Sequence, residues 1–404
     1  MSQVNNLQTL NGLFKETYAD KLENIIPDGV KLLKSIKFVS KEKQNGNLYH
    51  QPVVLGLEHG VSFASSGDAF TLNDAIAGTI KDAQVQGTQM VLRSVLSYAA
   101  ASRALSGGAS AFESSTKFLV GNMLRSMARK LEIELLYGQV GYGTVNAIVG
   151  LQVQIDAAEW APGIWAGAEG MKINFRSAGG ADHGEATVTS VDMEGKKVSV
   201  DAVPGAAAVG DSLFHKGAFG NEFAGLHKIL ANSGTLFNIS AAQFVLWKGN
   251  EYDAAGGPLS LTKITSAIAR AVEKGLDQDV KCLVNPRTWS NLMSDQAALR
   301  RLDSSYKPAQ AENGMSSIKF HGQNGTIEIE PSIYVKEGYA YILVMEELIR
   351  VGSSDITFKR PGQGDEFFRD LENAAGYELR AYCDQALFSS APGKMVLIKN
   401  IVNT

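Results

Sequence analysis

A long amphipathic helix is the feature that most limits how this chain can fold. Between Ser115 and Tyr137, apolar residues recur at every fourth position. They form one stripe along a helix, at Leu119, Met123, Met127, Leu131 and Leu135. At 1.5 Å per residue the helix would be about 35 Å long, which is long for the interior of a lobe. We therefore expect a spine helix that runs along one edge of the molecule.

Further helices are expected on the N-terminal side of the spine helix. No proline interrupts the stretch from residue 54 to residue 161. Asn73 is suited to cap a helix that begins at Asp74 and ends at Leu105. Apolar residues at four-residue spacing predict another helix over residues 10–26, either docked on its own core or lying along a neighbouring subunit.

The length and charge of the chain limit which classes of protein it can belong to. The 404 residues are more than one core usually organises, so we expect two or three lobes. The 38 basic and 42 acidic residues nearly balance. This argues against a protein that binds nucleic acid mainly through its positive charge, but it does not argue against a shell that encloses nucleic acid. The chain shows no signal-peptide pattern and no apolar run near the roughly 20 residues that span a bilayer, so we expect a soluble protein.

A segment close to the N-terminus predicts a β-hairpin. Asn45-Gly46 is a pair that tight hairpin turns favour, because both positions need a positive φ. The arms would be residues 35–39 and 49–57, which carry β-branched and aromatic side chains. The tip is charged, at Lys41, Glu42 and Lys43. An isolated two-stranded hairpin is at best marginally stable in water, so something outside the segment must stabilise it.

The rest of the chain divides into a β-rich block and a mixed α/β part. Residues 148–222 are rich in glycine and indicate a small inserted β domain. Valines flank the turn at residues 194–196 and predict a hairpin with one buried face, at Val188, Val191, Val198 and Val200. Later segments predict a helix at 258–276, a buried strand from residue 280 that leads into a helix, a polar loop at 300–317, and strands within 325–335, 339–352 and 395–402.

A search for catalytic and ligand-binding motifs finds none of the common ones. The glycines at 141 and 143 follow a helix rather than a strand, which favours a helix end over a nucleotide site. One local cluster contains residue types that bind metals, at Asp182, His183 and Glu185. We interpret this cluster as a solvated turn rather than a metal site. The two cysteines, Cys282 and Cys383, lack metal-site spacing. We expect no catalytic, cofactor or metal site.

The order of these elements resembles the major capsid protein of tailed bacteriophages, which has the Hong Kong 97 fold. The resemblance covers nearly the whole chain and rests on the arm, hairpin, spine helix, β insertion and final α/β part. Particular strings are also similar to that family: VGDSLFHKGAFGNEFAGLHKIL, KCLVNPRTWSNLM, GYAYILVMEELIRVGSSDITF and ELRAYCDQALFSSAPGKMVLI.

The resemblance implies an α+β fold of the Hong Kong 97 type with five parts. These are an N-terminal arm (1–35), an extended hairpin loop (36–73), a peripheral domain with the spine helix (74–147, completed by about 325–370), a β-rich insertion domain (148–222) and an axial α/β domain (223–324 and 371–404). In that family the extended loop lies across the neighbouring subunit. The hairpin would then be stabilised by another copy of the chain.

The resemblance also implies a structural function rather than an enzymatic one. The chain would assemble with itself into hexamers and pentamers of an icosahedral phage head around double-stranded DNA, in the host cytoplasm, and end in the virion. Partners would be a separate scaffolding protein, a portal protein and a decoration protein, with no cofactor and no membrane. Two alternatives stay open: an α/β enzyme whose hairpin is a lid, and the shell of a bacterial compartment that encloses an enzyme cargo.

Candidate intersubunit contacts follow from these placements. The hairpin tip supplies Lys41, Glu42, Lys43, Asn45 and Gly46. The spine helix supplies Arg125 and Arg129, which otherwise belong to a solvated helix face. The loop near the capsomer axis supplies Arg300 and Arg301, and a segment near contacts between capsomers supplies Arg360.

Overall fold

The structure is a computed structural model of the chain, and it describes residues 29–39, 48–65, 67, 69–97, 109–294, 318–358, 368–371 and 376–403. Within these residues the fold is α+β, as predicted, and most of the regular structure is β-sheet. The helices are α1 (Leu32–Ser35), α2 (Ala109–Tyr137), α3 (Pro162–Trp165), α4 (Leu226–Leu230), α5 (Leu261–Val272) and α6 (Pro286–Ser294). We call α2 the spine helix.

The strands run through the whole described chain. They are β1 (Lys37–Phe38), β2 (Tyr49–Gly56), β3 (Thr79–Val85), β4 (Thr88–Ser97), β5 (Gly143–Val149), β6 (Gln152–Ile155), β7 (Lys172–Arg176), β8 (Asp182–Asp192), β9 (Lys197–Val200), β10 (Ser212–His215), β11 (Thr235–Leu236), β12 (Ile239–Ser240), β13 (Asn250–Asp253), β14 (Val280–Val284), β15 (Ile318–Gly322), β16 (Gly325–Pro331), β17 (Ala340–Leu343), β18 (Leu348–Thr357), β19 (Phe368–Asp370), β20 (Gly376–Ser389) and β21 (Val396–Lys399).

A six-stranded sheet forms the core of the C-terminal part, in the order β13-β21-β17-β14-β16-β15. It is mixed: β13 with β21 and β14 with β16 are parallel, and the other pairs are antiparallel. Helix α5 packs on it and buries Ile264, Ile268 and Ala271 completely, because these residues share one helix face. Gly275, at a φ of +90°, follows the helix end. The helices and strands predicted in this part are confirmed, whereas the predicted polar loop at 300–317 lies outside the described residues.

Six strands that follow the spine helix and precede α4 in the chain form a closed barrel. Its order is β10-β5-β6-β9-β8-β7, and its strands run from Gly143 to His215. The predicted hairpin is confirmed, with Val188 opposite Val200 and Val191 opposite Val198. Barrel closure pairs every strand on both sides, which removes open sheet edges. The division of the whole chain into domains stays a prediction.

The predicted pairing of the N-terminal hairpin is wrong. Strand β1 pairs in parallel with β18, with Lys37 opposite Ile349. Strand β2 pairs with β3 instead, from Tyr49 opposite Val85 onward. The turn residues Asn45 and Gly46 lie outside the described residues. A turn dipeptide is a local signal, whereas the partner of β1 is about three hundred residues away in the chain and is set by the buried sheet that β1 joins.

The predicted helix over 74–105 is also wrong, because most of its described residues form β3 and β4. Strand β4 pairs with β20 along ten consecutive residues, from Thr88 opposite Gln385 to Ser97 opposite Gly376. Exposure alternates along residues 91–96, with Val91 and Val95 on the exposed side. A segment without proline can form a strand as well as a helix. Here the long-range pairing with β20 stabilises the strand.

The predicted spine helix is confirmed and begins earlier than expected, at Ala109, with a length of 29 residues. Its Met127, Leu131 and Leu135 are at most 1% exposed. Glu132, 1% exposed, faces the start of α1. Its carboxylate accepts hydrogen bonds from the backbone N–H groups of residues 31, 32 and 33 at 3.1, 2.9 and 2.7 Å. One side chain thus caps a helix one hundred residues earlier in the chain.

We predict that Glu132→Ala lowers the free energy of unfolding by about 1–3 kcal/mol, because three backbone donors at α1 lose their acceptor. Glu132→Gln, which keeps one acceptor oxygen, should lose less. Glu194, an exposed residue in a β-turn, gives the matched control: Glu194→Ala should change stability by less than about 0.5 kcal/mol. Urea unfolding measures all three variants, and equal stabilities of Glu132→Ala and Glu194→Ala would contradict the capping role.

Candidate interaction surface

Strands β2 and β3 form a two-stranded ribbon, residues 49–85, whose base is anchored in the body. The Tyr49 ring lies 5.5 Å from the Phe388 ring, edge to face. Ala83 and Val85 are 0% and 5% exposed, and the backbone N–H of Gln84 donates to a backbone carbonyl of the body at 3.0 Å. These contacts fix where the ribbon leaves the body.

The distal part of the ribbon is exposed and apolar. Every described residue from 57 to 78 is exposed, with the single exception of half-buried Ser62. Large apolar side chains cover it, and their exposed fractions lie between 52% and 90%: Val54, Leu57, Val61, Phe63, Phe70, Leu72, Ile76 and Ile80. Monomeric proteins rarely expose so many neighbouring apolar side chains, and such surfaces typically mark contacts with other molecules. We call these eight residues the apolar strip.

Hydrogen bonds hold the two sides of the ribbon together beyond the regular strands. The backbone N–H of His59 donates to the Ile76 carbonyl at 3.1 Å. The side chain of Asn73 donates to the Val61 carbonyl at 2.9 Å, and its backbone N–H donates to Ser62 Oγ at 2.6 Å. A Cβ atom at Gly60 would lie 3.0 Å from backbone atoms across the ribbon. The strip therefore sits on a defined framework.

The ribbon also presents unpaired strand edges. Among the described residues, β2 pairs with β3 alone and β3 with β2 alone. Apart from the Gln84 N–H at the base, which donates to the body, each strand therefore has one row of backbone donors and acceptors directed outward, which can pair with another chain. His50 and Asp82 face each other across the ribbon at 2.7 Å, and this contact holds the pKa of Asp82 below its usual value.

The predicted contact residues on the spine helix have different surroundings. Arg125 is exposed and available to a partner. Arg129 is half-buried and donates to the Gly163 carbonyl from Nε at 3.1 Å and from one terminal nitrogen at 2.7 Å, and it also bonds to the Ala166 carbonyl. Its guanidinium thus fixes the segment around α3 within the chain. Whether either arginine touches a neighbour stays a prediction.

The other predicted contact residues lie outside the described residues. They are Lys41, Glu42, Lys43, Asn45, Gly46, Arg300, Arg301 and Arg360. Their roles stay predictions.

The described residues contain no cluster of three metal-ligating side chains. The three candidates around β8 have separate partners: Asp182 pairs with Arg176, His183 with Asp211 and Glu185 with Lys216, at 3.0, 2.8 and 2.7 Å. Within the described part of the chain, no helix has the length and apolar character needed to cross a membrane.

A cavity of about 670 Å³ lies between the spine helix, strands β4 and β20, and the barrel. Its wall contains a hydrogen-bonded chain of polar groups: Lys130 Nζ donates to the Tyr142 hydroxyl, which donates to Glu134 Oε1, both at 3.2 Å. Burial lowers the pKa of Lys130 to about 8 and raises the pKa of Glu134 to about 8. Burial also raises the pKa of Glu222 and lowers the pKa of His215 to about 4.

Comparison with known proteins identifies the fold. No protein-family model matches the chain, and no curated protein matches it in sequence. The chain is similar to the solved cyanophage A-1(L) capsid asymmetric unit, with 12% identity, 98% of this chain and 99% of that chain covered, and a TM-score of 0.60. It is similar to the capsid of a native GTA particle, with 10% identity, 99% and 100% covered, and a TM-score of 0.56.

A structure from Mycobacterium phage Adephagia is similar over 100% of both chains, with 12% identity and a TM-score of 0.50. At such identities the likeness shows the fold. The chain therefore has the Hong Kong 97-type fold of phage capsid proteins, and the predicted fold class is confirmed.

Sequence reasoning missed the apolar strip and the cavity groups. Phe63 and Phe70 stand in a stretch rich in serine and glycine, and these aromatic residues in a loop-like context were the available signal for the strip. Glu134 lies on the spine helix and Glu222 eighty-eight residues later. No periodicity links two such positions, so only the folded chain brings them together.

We predict that neither cysteine is a nucleophile in the native protein. Burial raises the pKa of Cys282 to about 12 and that of Cys383 to about 11, so both thiols stay protonated at pH 8. Iodoacetamide at pH 8 should leave the native chain unmodified and should alkylate both residues in denaturant, as read by mass spectrometry. Fast alkylation of either residue in the native protein would contradict this.

Proposed function

We propose that the chain is the major capsid protein of a tailed phage, a structural subunit that assembles with itself into a closed shell. Its units would be hexamers and pentamers of an icosahedral head. The observation that carries the proposal is the apolar strip: a framework of hydrogen bonds presents large apolar side chains that the described residues leave uncovered. The fold shared with phage capsid proteins supports it.

The strip has enough apolar surface to support association. Full burial of a Val, Leu, Ile or Phe side chain contributes about 1.5–3 kcal/mol. Half-burial of the eight strip residues would therefore contribute on the order of 10 kcal/mol. The cost of immobilising a partner is estimated at about 4–15 kcal/mol. The two quantities are comparable, so the strip can supply a large share of the association free energy when unpaired strand edges and rim contacts add to it.

The geometry of such a contact favours rings. If the ribbon of one copy lies on the body of the next, the two surfaces in contact are different. A heterologous contact of this kind generates a closed ring when its rotation closes. The same contact would then form five- and six-membered rings that differ in the rotation between neighbouring subunits. The base of the ribbon, anchored at Tyr49 and Ala83, would keep the same position on its own subunit in both rings.

The proposed contents are double-stranded DNA, enclosed rather than bound in a sequence-specific way. The formal net charge of −4 supplies no general attraction for phosphate. A separate scaffolding protein, a portal protein and a decoration protein are the proposed partners. The proposed location is the virion, after assembly in the host cytoplasm.

An enzyme is the second candidate, because the cavity holds buried groups with displaced pKa values, which is a common property of active sites. The cavity groups bond to one another and to the backbone: the Glu222 carboxylate accepts the Gln139 N–H at 2.8 Å, and Glu134 accepts from Tyr142. We therefore favour a structural role for them.

Electron microscopy of the purified chain, expressed alone and with the scaffolding protein encoded near it, tests the proposal. Closed shells, tubes or capsomer rings are the expected result. A small discrete oligomer under both conditions would contradict it. Nuclease-protected double-stranded DNA in particles from infected cells would separate a phage head from a compartment shell, in which an enzyme cargo is expected instead.

We predict that Phe63→Asp abolishes or weakens assembly without unfolding the subunit. Phe63 is 90% exposed, so its replacement should change subunit stability by less than about 0.5 kcal/mol. A charge at a buried contact should raise the concentration needed for assembly at least about tenfold. Phe63→Leu, which keeps an apolar side chain, is the control and should assemble. Normal shell yield from Phe63→Asp would count against a role for the strip.

A further inference from the structure

The barrel is joined to the rest of the chain by two crossings that touch each other. Residues 138–142 lead from the spine helix into the barrel, and residues 216–225 lead back. The backbone N–H of Gly225 donates to the Gly138 carbonyl at 3.0 Å. A Cβ atom at Gly138 would lie 2.2 Å from the Phe223 carbonyl oxygen, and one at Gly225 would lie 2.5 Å from the Gly138 nitrogen. We call these two crossings the neck.

Two buried glutamates belong to this neck. Glu222 Oε2 accepts the backbone N–H of Gln139 at 2.8 Å, and the Gln139 side chain donates to the Glu222 carbonyl at 2.9 Å. Glu134, on the last turn of the spine helix, accepts from the Tyr142 hydroxyl through Oε1 at 3.2 Å. Glu222 thus ties the returning crossing to the outgoing one, and Glu134 ties the outgoing crossing to the helix.

Each glutamate has one oxygen without a donor. Glu134 Oε2 and Glu222 Oε1 are fully buried, and neither meets a donor among the described residues. The two side chains nevertheless lie within hydrogen-bonding reach of each other. Two ionised carboxylates cannot hydrogen-bond, since both are acceptors, and a buried acceptor without a donor costs about 1–3 kcal/mol or more. One proton between the two oxygens would satisfy both.

We propose that Glu134 and Glu222 share one proton at neutral pH, and that this proton holds the two crossings of the neck together. We call this bonded state the closed neck. Glu134 carries the proton and its O–H donates to Glu222 Oε1. Loss of the proton places two like charges side by side in a buried site, and the hydrogen bond between the crossings is replaced by repulsion. The two crossings then stay attached covalently but are held less firmly against each other, while contacts such as that of Arg129 with the Gly163 carbonyl remain.

The charges around the pair fit this assignment. Burial, followed by the charge of Glu222, raises the pKa of Glu134 to about 8, while the Lys130 ammonium opposes the rise without cancelling it. The other charged and titratable groups that line the cavity near the pair are Arg125, Arg129, Glu169, His215 and Lys216. Glu169 is an exposed carboxyl. His215 is neutral above its lowered pKa of about 4, and its Nδ1–H donates to the Lys216 carbonyl at 3.2 Å, so neither supplies the missing donor.

The direction of the pH dependence follows from these values. The pKa of Glu134 is raised from 4.5 to about 8 on folding, so the closed neck binds the proton more tightly than an open one. Its stability is greatest below pH 4.5, falls as pH rises, and is lowest above about pH 8. The pKa of Lys130 is lowered from 10.5 to about 8, so its deprotonation begins near pH 7 and has the opposite effect on stability, which by pH 8 offsets only about twofold of the fall. Between pH 6 and pH 8 the glutamate pair therefore dominates the pH dependence.

Hydrogen exchange of the isolated subunit tests the proposal. The amides of Gln139 and Gly225 report the neck, and their protection is compared at pH 6 and pH 8 after correction for intrinsic exchange. Linkage of one proton weakens the closed form by up to about tenfold per pH unit. We expect protection of these amides to fall at least about tenfold from pH 6 to pH 8, while amides of β14 change little.

Two substitutions separate a shared proton from a general loosening. Glu222→Gln and Glu134→Gln each supply an N–H donor that needs no proton, so protection at the neck should become nearly independent of pH. Either variant suffices if the other fails to fold. Glu169→Gln, at an exposed carboxyl on the rim of the same cavity, is the matched control and should keep the wild-type fall.

Three results would overturn the proposal. The first is flat protection of Gln139 and Gly225 from pH 6 to pH 8 in the wild type. The second is an unchanged fall in both Gln variants. The third is a fall that magnesium chloride reverses and sodium chloride of equal ionic strength does not, because a cation would then occupy the place of the proton.

A measurement on the wild type alone complements these variants. Infrared spectroscopy of the chain with isotope-labelled glutamate should show a protonated carboxyl band at pH 7 that disappears by pH 9, and absence of this band would also overturn the proposal. All readouts use the subunit, so they are independent of whether the chain forms shells.

Discussion

A two-stranded ribbon has no second layer of its own, so its apolar side chains can be covered only by something outside it. In this chain the base of the ribbon is buried against the body, through Tyr49 and Ala83, and the distal part is not. Phe63 and Leu72 are 90% and 74% exposed, so no part of the chain that the structure describes compensates for the cost of exposing them to water. The proposed function follows from this imbalance: burial of the strip is postponed until another copy supplies the covering surface.

The body, by contrast, is held together by long-range contacts between buried groups. Glu132 connects the spine helix to α1, and Arg129 connects it to the segment around α3. Lys336, 1% exposed, donates to the Gly141 carbonyl at 3.1 Å and to Glu159 at 3.0 Å, so it joins the C-terminal part to the entrance of the barrel. A body connected in this way can hold the base of the ribbon in one direction, which repeated contacts in a lattice require.

Elements with a strong local period could be predicted from the sequence, and elements defined by distant partners could not. The apolar stripe of the spine helix and the valine alternation of the β8–β9 hairpin stand in the sequence itself. The pairing of β4 with β20 joins residues nearly three hundred positions apart, and no local sequence pattern near Thr88 predicts this pairing. Likewise Asn45-Gly46 suggested a partner for β1, but the parallel pairing with β18 depends on a sheet formed much later in the chain. The fold class survived these errors because the resemblance rested on element order.

A reconstruction of the assembled particle at side-chain resolution is the most direct test that the ribbon is stabilised by a second copy. The apolar strip of each subunit should then lie against the body of its neighbour, with Phe63 and Leu72 buried at the contact and an outer edge of β2 or β3 covered. A particle in which the strip still faces solvent, or folds back on its own subunit, would contradict the proposal.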